Sequence, residues 1–251
     1  MRTILARVAY DGTDFCGYQI QRGQRTVQGV VEEALGTLHD HPVATAAAGR
    51  TDSGVHAVGQ HVSFVTDRDG IPADRMAQAI NSRLPHDVRV VASREVGEGF
   101  HARFDARSRH YRYYVVSGEV TLPHLRRYAW RIPEMPDVVR MNGDAAALVG
   151  EHDFSGFASR REEGDEMVRR VLYADMRRYG GRLEFAIGAD GFLWRMVRTI
   201  VGTLVERERA RLRGVPPEYS MSELLRRRDR AAAGATAPAW GLFFHDVEYD
   251  A

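Results

Sequence analysis

One carboxylate, Asp52, lies in a loop whose neighbouring residues could hold it in place. The stretch from Ala48 to Ala57 reads AGRTDSGVHA, so Arg50 and two glycines surround the aspartate. Residues 43–48 predict a short apolar strand before the loop, and residues 60–66 predict another strand after it. A reacting group often lies on such a loop of a rigid scaffold, but Gly and Asp are also ordinary turn residues. The loop alone therefore favours a turn, and other residues must decide whether it does chemistry.

Other kinds of catalytic site find little support in the sequence. All 35 basic residues are arginines, so no phosphate-binding loop ends in lysine, and no dinucleotide-binding glycine pattern follows the first strand. The single cysteine, Cys16, excludes a Cys-rich zinc site, and no nucleophile-elbow sequence surrounds a serine. His39 and His41 flank Asp40 after a predicted helix, where solvated histidines are the simpler interpretation. We expect no metal site.

The composition is typical of a soluble globular protein, with 44% hydrophobic and 27% charged residues. No apolar run is long enough to span a membrane, and Arg7 interrupts the N-terminal segment, so we expect neither a membrane span nor a signal peptide. A lone cysteine agrees with a reducing compartment, which predicts a cytoplasmic protein. The net charge of +1 does not by itself indicate a polyanionic partner.

Arginine is nevertheless the cation best shaped for phosphate, because its planar guanidinium can donate two parallel hydrogen bonds. Any surface that binds a polyanion has to come from local clusters of arginine. The candidates are Arg160–Arg161, Arg169–Arg170, residues 207–213 and residues 226–230. Acidic residues lie among or near the last two clusters, so a solvated helix face is the simpler interpretation of both.

The apolar patterns predict the elements that position these residues. Thr3–Tyr10 alternates like a strand, and a helix should begin at Thr26, whose hydroxyl can cap it. Residues 109–116 predict a strand that carries Tyr111, Tyr113 and Val115 on one face. An aromatic strand face of this kind packs in a core or supplies a surface on which a base can stack.

The second half contains a hairpin and a long helix. Residues 168–179 and 182–188 predict two strands joined across Gly180–Gly181. The strongest helix pattern runs from Leu193 to Val205, with Arg198 at the edge of its apolar stripe. An arginine in that place can extend into water or reach inward to a carboxylate.

The expected fold class is therefore α+β (mixed α/β), with a largely antiparallel sheet and helices packed on it. We place a domain boundary between residues 103 and 104, because the strand and helix pattern begins again there. Residues 1–103 would carry the Asp52 loop, and residues 104–251 would carry Tyr111 and Arg198.

Several stretches accompany the Asp52 loop in a fixed order along nearly the whole chain. They are Tyr10–Thr13 with Phe15, Gly17, Gln19 and Gln21; Arg25–Gly29; Ala48–Gln60; Phe100–Phe104; Arg109–Tyr113; Gly191–Leu193 with Met196–Arg198; Ile200–Gly202; and Gly241–Leu242. This set resembles the TruA family of tRNA pseudouridine synthases, and AGRTDSGVHA is its most specific member. The chain departs from the family at Val171–Leu172 and Trp194–Arg195, and the charged residues 159–167 match nothing in it.

The resemblance implies a role for five residues. Asp52 matches the aspartate on which the family's catalysis depends, and Arg198 matches the arginine that pairs with it. Tyr111 matches the tyrosine that stacks on the target uracil. Leu242 matches an apolar pocket residue, and Arg50 matches an arginine that helps to hold the everted nucleotide.

The resemblance also implies a pseudouridine-synthase fold whose active-site cleft lies between two similar halves. The family isomerises uridine to pseudouridine at positions 38, 39 and 40 of the tRNA anticodon stem-loop. It uses no cofactor or metal and acts as a homodimer, so the implied partners are tRNA and a second copy of the chain.

The residues leave the mechanism open. The carboxylate of Asp52 can attack the ribose as a nucleophile or remove a ribose proton to form a glycal. The hydroxyl of Tyr111 is a candidate for taking the proton from uracil C5. Two other functions also remain open: a tRNA-binding or chaperone module without turnover, and a carboxylate-dependent hydrolase that releases uracil from a nucleoside.

Overall fold

The computed structural model describes residues 1–159 and 166–250, which form two compact units. The first unit contains residues 1–109 and 243–250, and the second contains residues 110–242. Both units combine strands with helices, and most of their strand pairs are antiparallel. The predicted mixed α and β class with a largely antiparallel sheet is confirmed.

The strands are β1 (Arg2–Tyr10), β2 (Ala46–Ala47), β3 (His56–Thr66), β4 (Val88–Val96), β5 (Ala106–Ser117), β6 (Trp130–Ile132), β7 (Gly150–Asp153), β8 (Val168–Tyr179), β9 (Arg182–Ala189) and β10 (Leu242–Tyr249). The helices are α1 (Val27–His39), α2 (Met76–Asn81), α3 (Val138–Ala146), α4 (Met196–Leu212) and α5 (Met221–Arg227). None of the helices in these described ranges combines the length and apolar character needed to cross a bilayer.

In the first unit the strand order is β4, β1, β3, β10. β1 lies antiparallel between β4 and β3, and its residues Ile4 and Val8 are completely buried. α2 packs on β4, and α1 begins as predicted, with the Thr26 hydroxyl accepting from the Gly29 N–H. This sheet holds the two ends of the segment that carries Asp52, because β2 pairs with β3.

The last strand of the chain belongs to the first unit. β10 pairs in parallel with β3, with Phe243 opposite His56 and Phe244 opposite Ala57. The division of the chain therefore differs from the predicted boundary, since residues 104–109 and 243–250 both group with the first unit. A parallel pair between segments so distant in sequence leaves no local pattern from which the boundary could be read.

In the second unit the strand order is β5, β9, β8, β7, and β6 pairs in parallel with β5. The predicted hairpin is confirmed: β8 and β9 are antiparallel, with Tyr179 opposite Arg182. α3 packs on β8 and against α4, and Phe185 and Ile187 of β9 are completely buried. A capping box formed by Ser220 and Glu223 opens α5.

One local expectation was wrong, the start of the long helix. α4 begins at Met196, three residues later than predicted, and continues to Leu212. Its last turns are charged, so the apolar stripe that predicted the helix ends before the helix does.

Buried charges join α3 to α4. Arg207 donates Nε and Nη2 to the two carboxylate oxygens of Asp144, each at 2.9 Å, although Arg207 is only 9% exposed. Arg211 also contacts Asp144, at 2.8 Å. Burial raises the pKa of the Asp144 carboxyl, but the hydrogen bonds and charges of these two arginines outweigh that effect and leave its pKa below the usual value.

We expect Asp144→Asn to destabilise the protein by about 3–5 kcal/mol at pH 7, because an amide would turn donors toward Arg207 and leave its buried charge unpaired. The midpoint of urea unfolding measures this loss. Since the pKa of Asp144 is lowered by folding, its stabilisation is present above the unfolded pKa near 4 and is lost as the pH falls further. The difference between the two proteins should therefore shrink below about pH 4.

Asp175→Asn is the matched control, because Asp175 and its partner Arg177 are more exposed, at 34% and 65%. We expect this control to change stability by less than about 1 kcal/mol. Equal losses for the two variants would contradict a structural role for the pair between Asp144 and Arg207.

Candidate active site

The loop that carries Asp52 connects β2 to β3 in the first unit. Its residues 48–55 have no regular secondary structure, and the Val55 N–H donates to the Asp52 carbonyl oxygen at 3.1 Å to close a turn. The side chain of Asp52 is half-buried, and that of Arg50 is exposed. The loop thus holds a carboxylate partly out of water and an arginine at the surface.

The segment after β1 packs against this loop. The Tyr10 hydroxyl and the Thr51 hydroxyl share a hydrogen bond of 2.8 Å, and the Tyr18 N–H donates to the Thr51 carbonyl oxygen at 3.0 Å. The Ser53 hydroxyl donates to the Phe15 carbonyl oxygen at 3.1 Å. Hydrogen bonds therefore fix both neighbours of Asp52, which limits where its carboxylate can lie.

Burial raises the pKa of the Tyr10 phenol above its usual value, although its hydrogen bond with Thr51 acts in the opposite direction. The phenol is therefore neutral at ordinary pH. On the other side of the loop, the Gln60 side-chain amide donates to the Gly49 carbonyl oxygen at 2.8 Å. All of these contacts are hydrogen bonds between uncharged groups.

Gly12 and His56 form a second contact between the same segments. The Gly12 N–H lies 3.0 Å from His56 Nδ1, and an Asp11 carboxylate oxygen lies 3.2 Å from the same nitrogen. The His56 ring stacks on Phe243, with centroids 4.7 Å apart. A Cβ built on Gly12 would overlap the Val55 carbonyl oxygen. The close approach of this backbone to the loop therefore requires glycine.

Tyr111 lies on β5, and its ring is nearly buried in the second unit. Tyr113 and Val115 are also buried, which confirms the predicted strand face. The Phe192 ring meets Tyr111 edge to face, with centroids 5.0 Å apart and planes at 86°. Phe192 thus restrains the ring that the sequence singles out for stacking.

Arg198 lies in the first turn of α4 and is half-buried, as its place at the edge of the apolar stripe predicts. Its Nε donates to the Ala237 carbonyl oxygen at 2.8 Å, and the Ala237 N–H donates to the Arg198 carbonyl oxygen at 3.0 Å. These two bonds join the start of α4 to the segment that leads to Leu242.

Tyr113 binds the same segment from β5. Its hydroxyl donates to the Pro238 carbonyl oxygen at 2.8 Å. Burial raises its pKa, against the lowering effect of the Arg198 charge, so the hydroxyl keeps its proton. Gly241 lies against the ring, since a Cβ there would be 2.6 Å from Cε1 of Tyr113. The segment before the buried Leu242 is therefore held from two sides, by Tyr113 of β5 and by Arg198 of α4.

Of the five predicted site residues, Arg50 and Asp52 share one loop of the first unit, and Tyr111, Arg198 and Leu242 belong to the second. The predicted pairing of Asp52 with Arg198 stays a prediction. Sequence reasoning gave no role to Phe192 and Tyr113, which restrain the second group. Both lie in stretches that carry the family resemblance, and this was the one signal that could have drawn attention to them.

The arginine clusters differ from one another. Arg160–Arg161 lies outside the described residues, and Arg169–Arg170 lies at the start of β8. The cluster at 207–213 was predicted as a solvated helix face, which is wrong for Arg207 because that side chain is buried against Asp144. Within residues 1–159 and 166–250, no three His, Cys, Asp or Glu side chains come together as metal ligands.

Comparison with known proteins gives a consistent set of matches. The tRNA pseudouridine synthase family matches residues 6–105 and 145–250. A tRNA pseudouridine synthase A from Bacillus pumilus is 43% identical over 245 residues, or 97% of each chain. The enzyme of that name from Anoxybacillus flavithermus is 42% identical over all of both chains, and that from Thermotoga neapolitana is 42% identical over 98% of this chain and 99% of its own.

We expect Gly12→Ala to destabilise the protein by at least about 2 kcal/mol, because the added methyl group overlaps a backbone carbonyl that cannot move without displacing the Asp52 loop. Urea unfolding measures the loss. Gly143→Ala is the matched control, since nothing lies within 4 Å of a Cβ on Gly143 in α3. The control should be stabilised by about 0.5–1 kcal/mol. Wild-type stability for Gly12→Ala would show that this close approach does not constrain the loop.

Proposed function

This chain belongs to the tRNA pseudouridine synthase family, and we propose that it isomerises uridine to pseudouridine at positions 38, 39 or 40 of the tRNA anticodon stem-loop. The observation that carries the proposal is the Asp52 loop, whose half-buried carboxylate lies between backbone groups fixed by Tyr10, Tyr18 and Gln60. A solvated turn needs no such restraint.

The reaction is an isomerisation, so no atom is added to the nucleoside or removed from it. The bond between ribose C1′ and uracil N1 breaks, the uracil rotates, and C5 joins C1′. C5 then loses its proton and N1 gains one. Asp52 acts either as the nucleophile at C1′, in an ester that C5 later displaces, or as the base that removes a ribose proton to form a glycal. Both routes require the ionised carboxylate.

A uridine in an RNA hairpin must leave its stack before these atoms can be reached. We propose that the Tyr111 ring stacks on the everted uracil and that its hydroxyl takes the C5 proton. The edge contact with Phe192 supports this role, because it restrains the ring angle without covering both faces. Leu242 would supply an apolar wall.

We further propose that Arg198 pairs with Asp52 and orients its carboxylate. The hydrogen bond from Arg198 Nε to Ala237 supports this role, since it fixes the direction of the guanidinium. Arg50, whose side chain is exposed, would contact the backbone of the everted nucleotide. By resemblance the active form is a homodimer, for which light scattering should give twice the mass of one chain.

Asp52→Asn should abolish isomerisation, with a loss of at least about 10³-fold in rate, because the amide is neither a nucleophile nor a base. The measurement is tritium release from full-length tRNA labelled at uridine C5, followed by mapping of pseudouridine at positions 38–40. Asp14→Asn is a suitable control, because Asp14 is an exposed aspartate of the same unit. It should release tritium at the wild-type rate.

Three results separate the alternatives. Tritium release with pseudouridine as product supports the proposal. Free uracil as product would indicate a hydrolase. A protein that binds tRNA without tritium release, and in which Asp52→Asn changes nothing, would instead be a binding module without turnover.

Tyr111→Phe and Tyr111→Leu should separate the two roles of the tyrosine. The phenylalanine variant keeps the ring but loses the hydroxyl, so we expect KM to be unchanged and kcat to fall by about 10²–10⁴-fold. The leucine variant also loses the stacking face, so KM should rise as well. If Tyr111→Phe turned over at the wild-type rate, the hydroxyl would not be the proton acceptor.

A further inference from the structure

A turn of the first unit presents an aromatic ring to solvent. Phe104 is 75% exposed, whereas Ala102, two residues earlier, is completely buried. Single exposed apolar side chains are common on soluble proteins, so this exposure alone says nothing about function. The surroundings of the ring are what distinguish it.

The backbone of this turn is held on both sides. The Ala102 N–H donates to the Ser63 hydroxyl at 3.0 Å, and the Ala102 carbonyl oxygen accepts from the Tyr249 hydroxyl at 2.9 Å. Within the turn, the His101 N–H donates to the Asp105 carboxylate at 2.7 Å, and the Phe104 N–H donates to the His101 carbonyl oxygen at 3.1 Å. A ring on so restrained a backbone loses little freedom when a ligand covers it.

One face of the Phe104 ring is already stacked. The His101 ring lies against it, with centroids 4.2 Å apart and planes at 30°. His101 Nδ1 accepts from the Arg103 N–H at 3.2 Å, which fixes the imidazole in that orientation. Because Phe104 is still largely exposed, its opposite face can extend the stack by a third planar group. Every nucleobase has such a face.

Two arginines lie at this turn. The exposed guanidinium of Arg103 lies over the Phe104 ring, 5.9 Å from its centre, so a nucleotide that stacks on the ring brings its phosphate within reach of this side chain. Arg109 donates Nη1 to the Ala106 carbonyl oxygen at 3.0 Å and Nε to the Ala48 carbonyl oxygen at 3.2 Å. The same side chain therefore fixes the end of the turn and the start of the loop that carries Asp52.

We propose that Phe104, backed by His101, is a stacking site for an unpaired base of the tRNA other than the uridine that reacts, and that Arg103 contacts the phosphate of that nucleotide. The inference rests on the proposed function, because the anticodon loop supplies the unpaired base. The site gives affinity and register, while the chemistry remains with Asp52.

The test measures binding without turnover. Anticodon stem-loop RNAs carry cytidine in place of the reactive uridines and 2-aminopurine at one loop position at a time, and they are titrated with the full-length protein. Phe104→Leu should raise Kd by about 5- to 100-fold, whereas Phe104→Tyr should bind like wild type. The fluorescence of 2-aminopurine should change at one or two loop positions with wild type and Phe104→Tyr, but not with Phe104→Leu.

Tyr179→Leu is the matched control, because Tyr179 is also an exposed aromatic residue, at 57%, but lies at the hairpin of the second unit. It should leave Kd and fluorescence unchanged. Arg103→Gln should reduce by about one the slope of log Kd against log salt concentration. A Kd for Phe104→Leu within twofold of wild type, with the same fluorescence change, would overturn the stacking site.

Tritium release by wild type on unmodified tRNA separates this inference from the proposed function. If wild type isomerises uridine but Phe104→Leu binds normally, the stacking site alone is wrong. If the fluorescence change depends on Phe104 but wild type releases no tritium, the stacking site stands and the isomerase does not. If wild type neither binds the stem-loop RNA nor releases tritium from tRNA, both are overturned.

Discussion

The hydrogen bond between the Tyr10 and Thr51 hydroxyls, at the end of β1, is the contact on which the candidate site most depends. Thr51 immediately precedes Asp52, and both its side chain and its carbonyl oxygen are held by residues of the segment 10–18. Because Tyr10 is buried, the alternative of bonding to water is lost, and breaking the pair would leave polar groups unsatisfied in the interior. The glycine at position 12 lets the two backbones approach closely enough for this contact to form.

Buried ion pairs hold several arginines of the second unit in place. Asp144, Arg207 and Arg211 form ion pairs between α3 and α4 in the second unit, and Arg140 donates Nε to the buried Glu208 at 3.1 Å. The charges of these arginines are paired with carboxylates within the fold. Phosphate contacts must come from exposed arginines such as Arg50 and Arg103. In a protein whose cations are all arginine, burial and pairing decide which of them can bind RNA, and the count of arginines does not.

Local patterns predicted the elements well but not the long-range pairings. The Thr26 cap and the β8–β9 hairpin depend on residues a few positions apart, and both are present. The return of β10 to β3 and the pairing of Arg207 with Asp144 join residues far apart in sequence, so neither hydrophobic period nor charge spacing could indicate them. The family resemblance identified Asp52 and Tyr111 as site residues. The restraining contacts of Gln60, Phe192 and Tyr113 became visible only in the structure.

The way the Asp52 loop is held has a consequence for how the protein meets its polyanionic substrate. Tyr10, Tyr18 and Gln60 hold the loop backbone through uncharged groups, so an approaching phosphate backbone does not compete for these contacts. Arg109 adds a charged contact at the start of the loop, where its guanidinium is engaged by the carbonyl oxygens of Ala48 and Ala106. Salt should therefore weaken the binding of RNA far more than it disturbs the geometry of the loop, since screening acts on exposed charges and hardly on buried neutral hydrogen bonds. The affinity for RNA and the position of the Asp52 loop depend on separate interactions. Substitution of an exposed arginine can therefore weaken RNA binding without moving the loop.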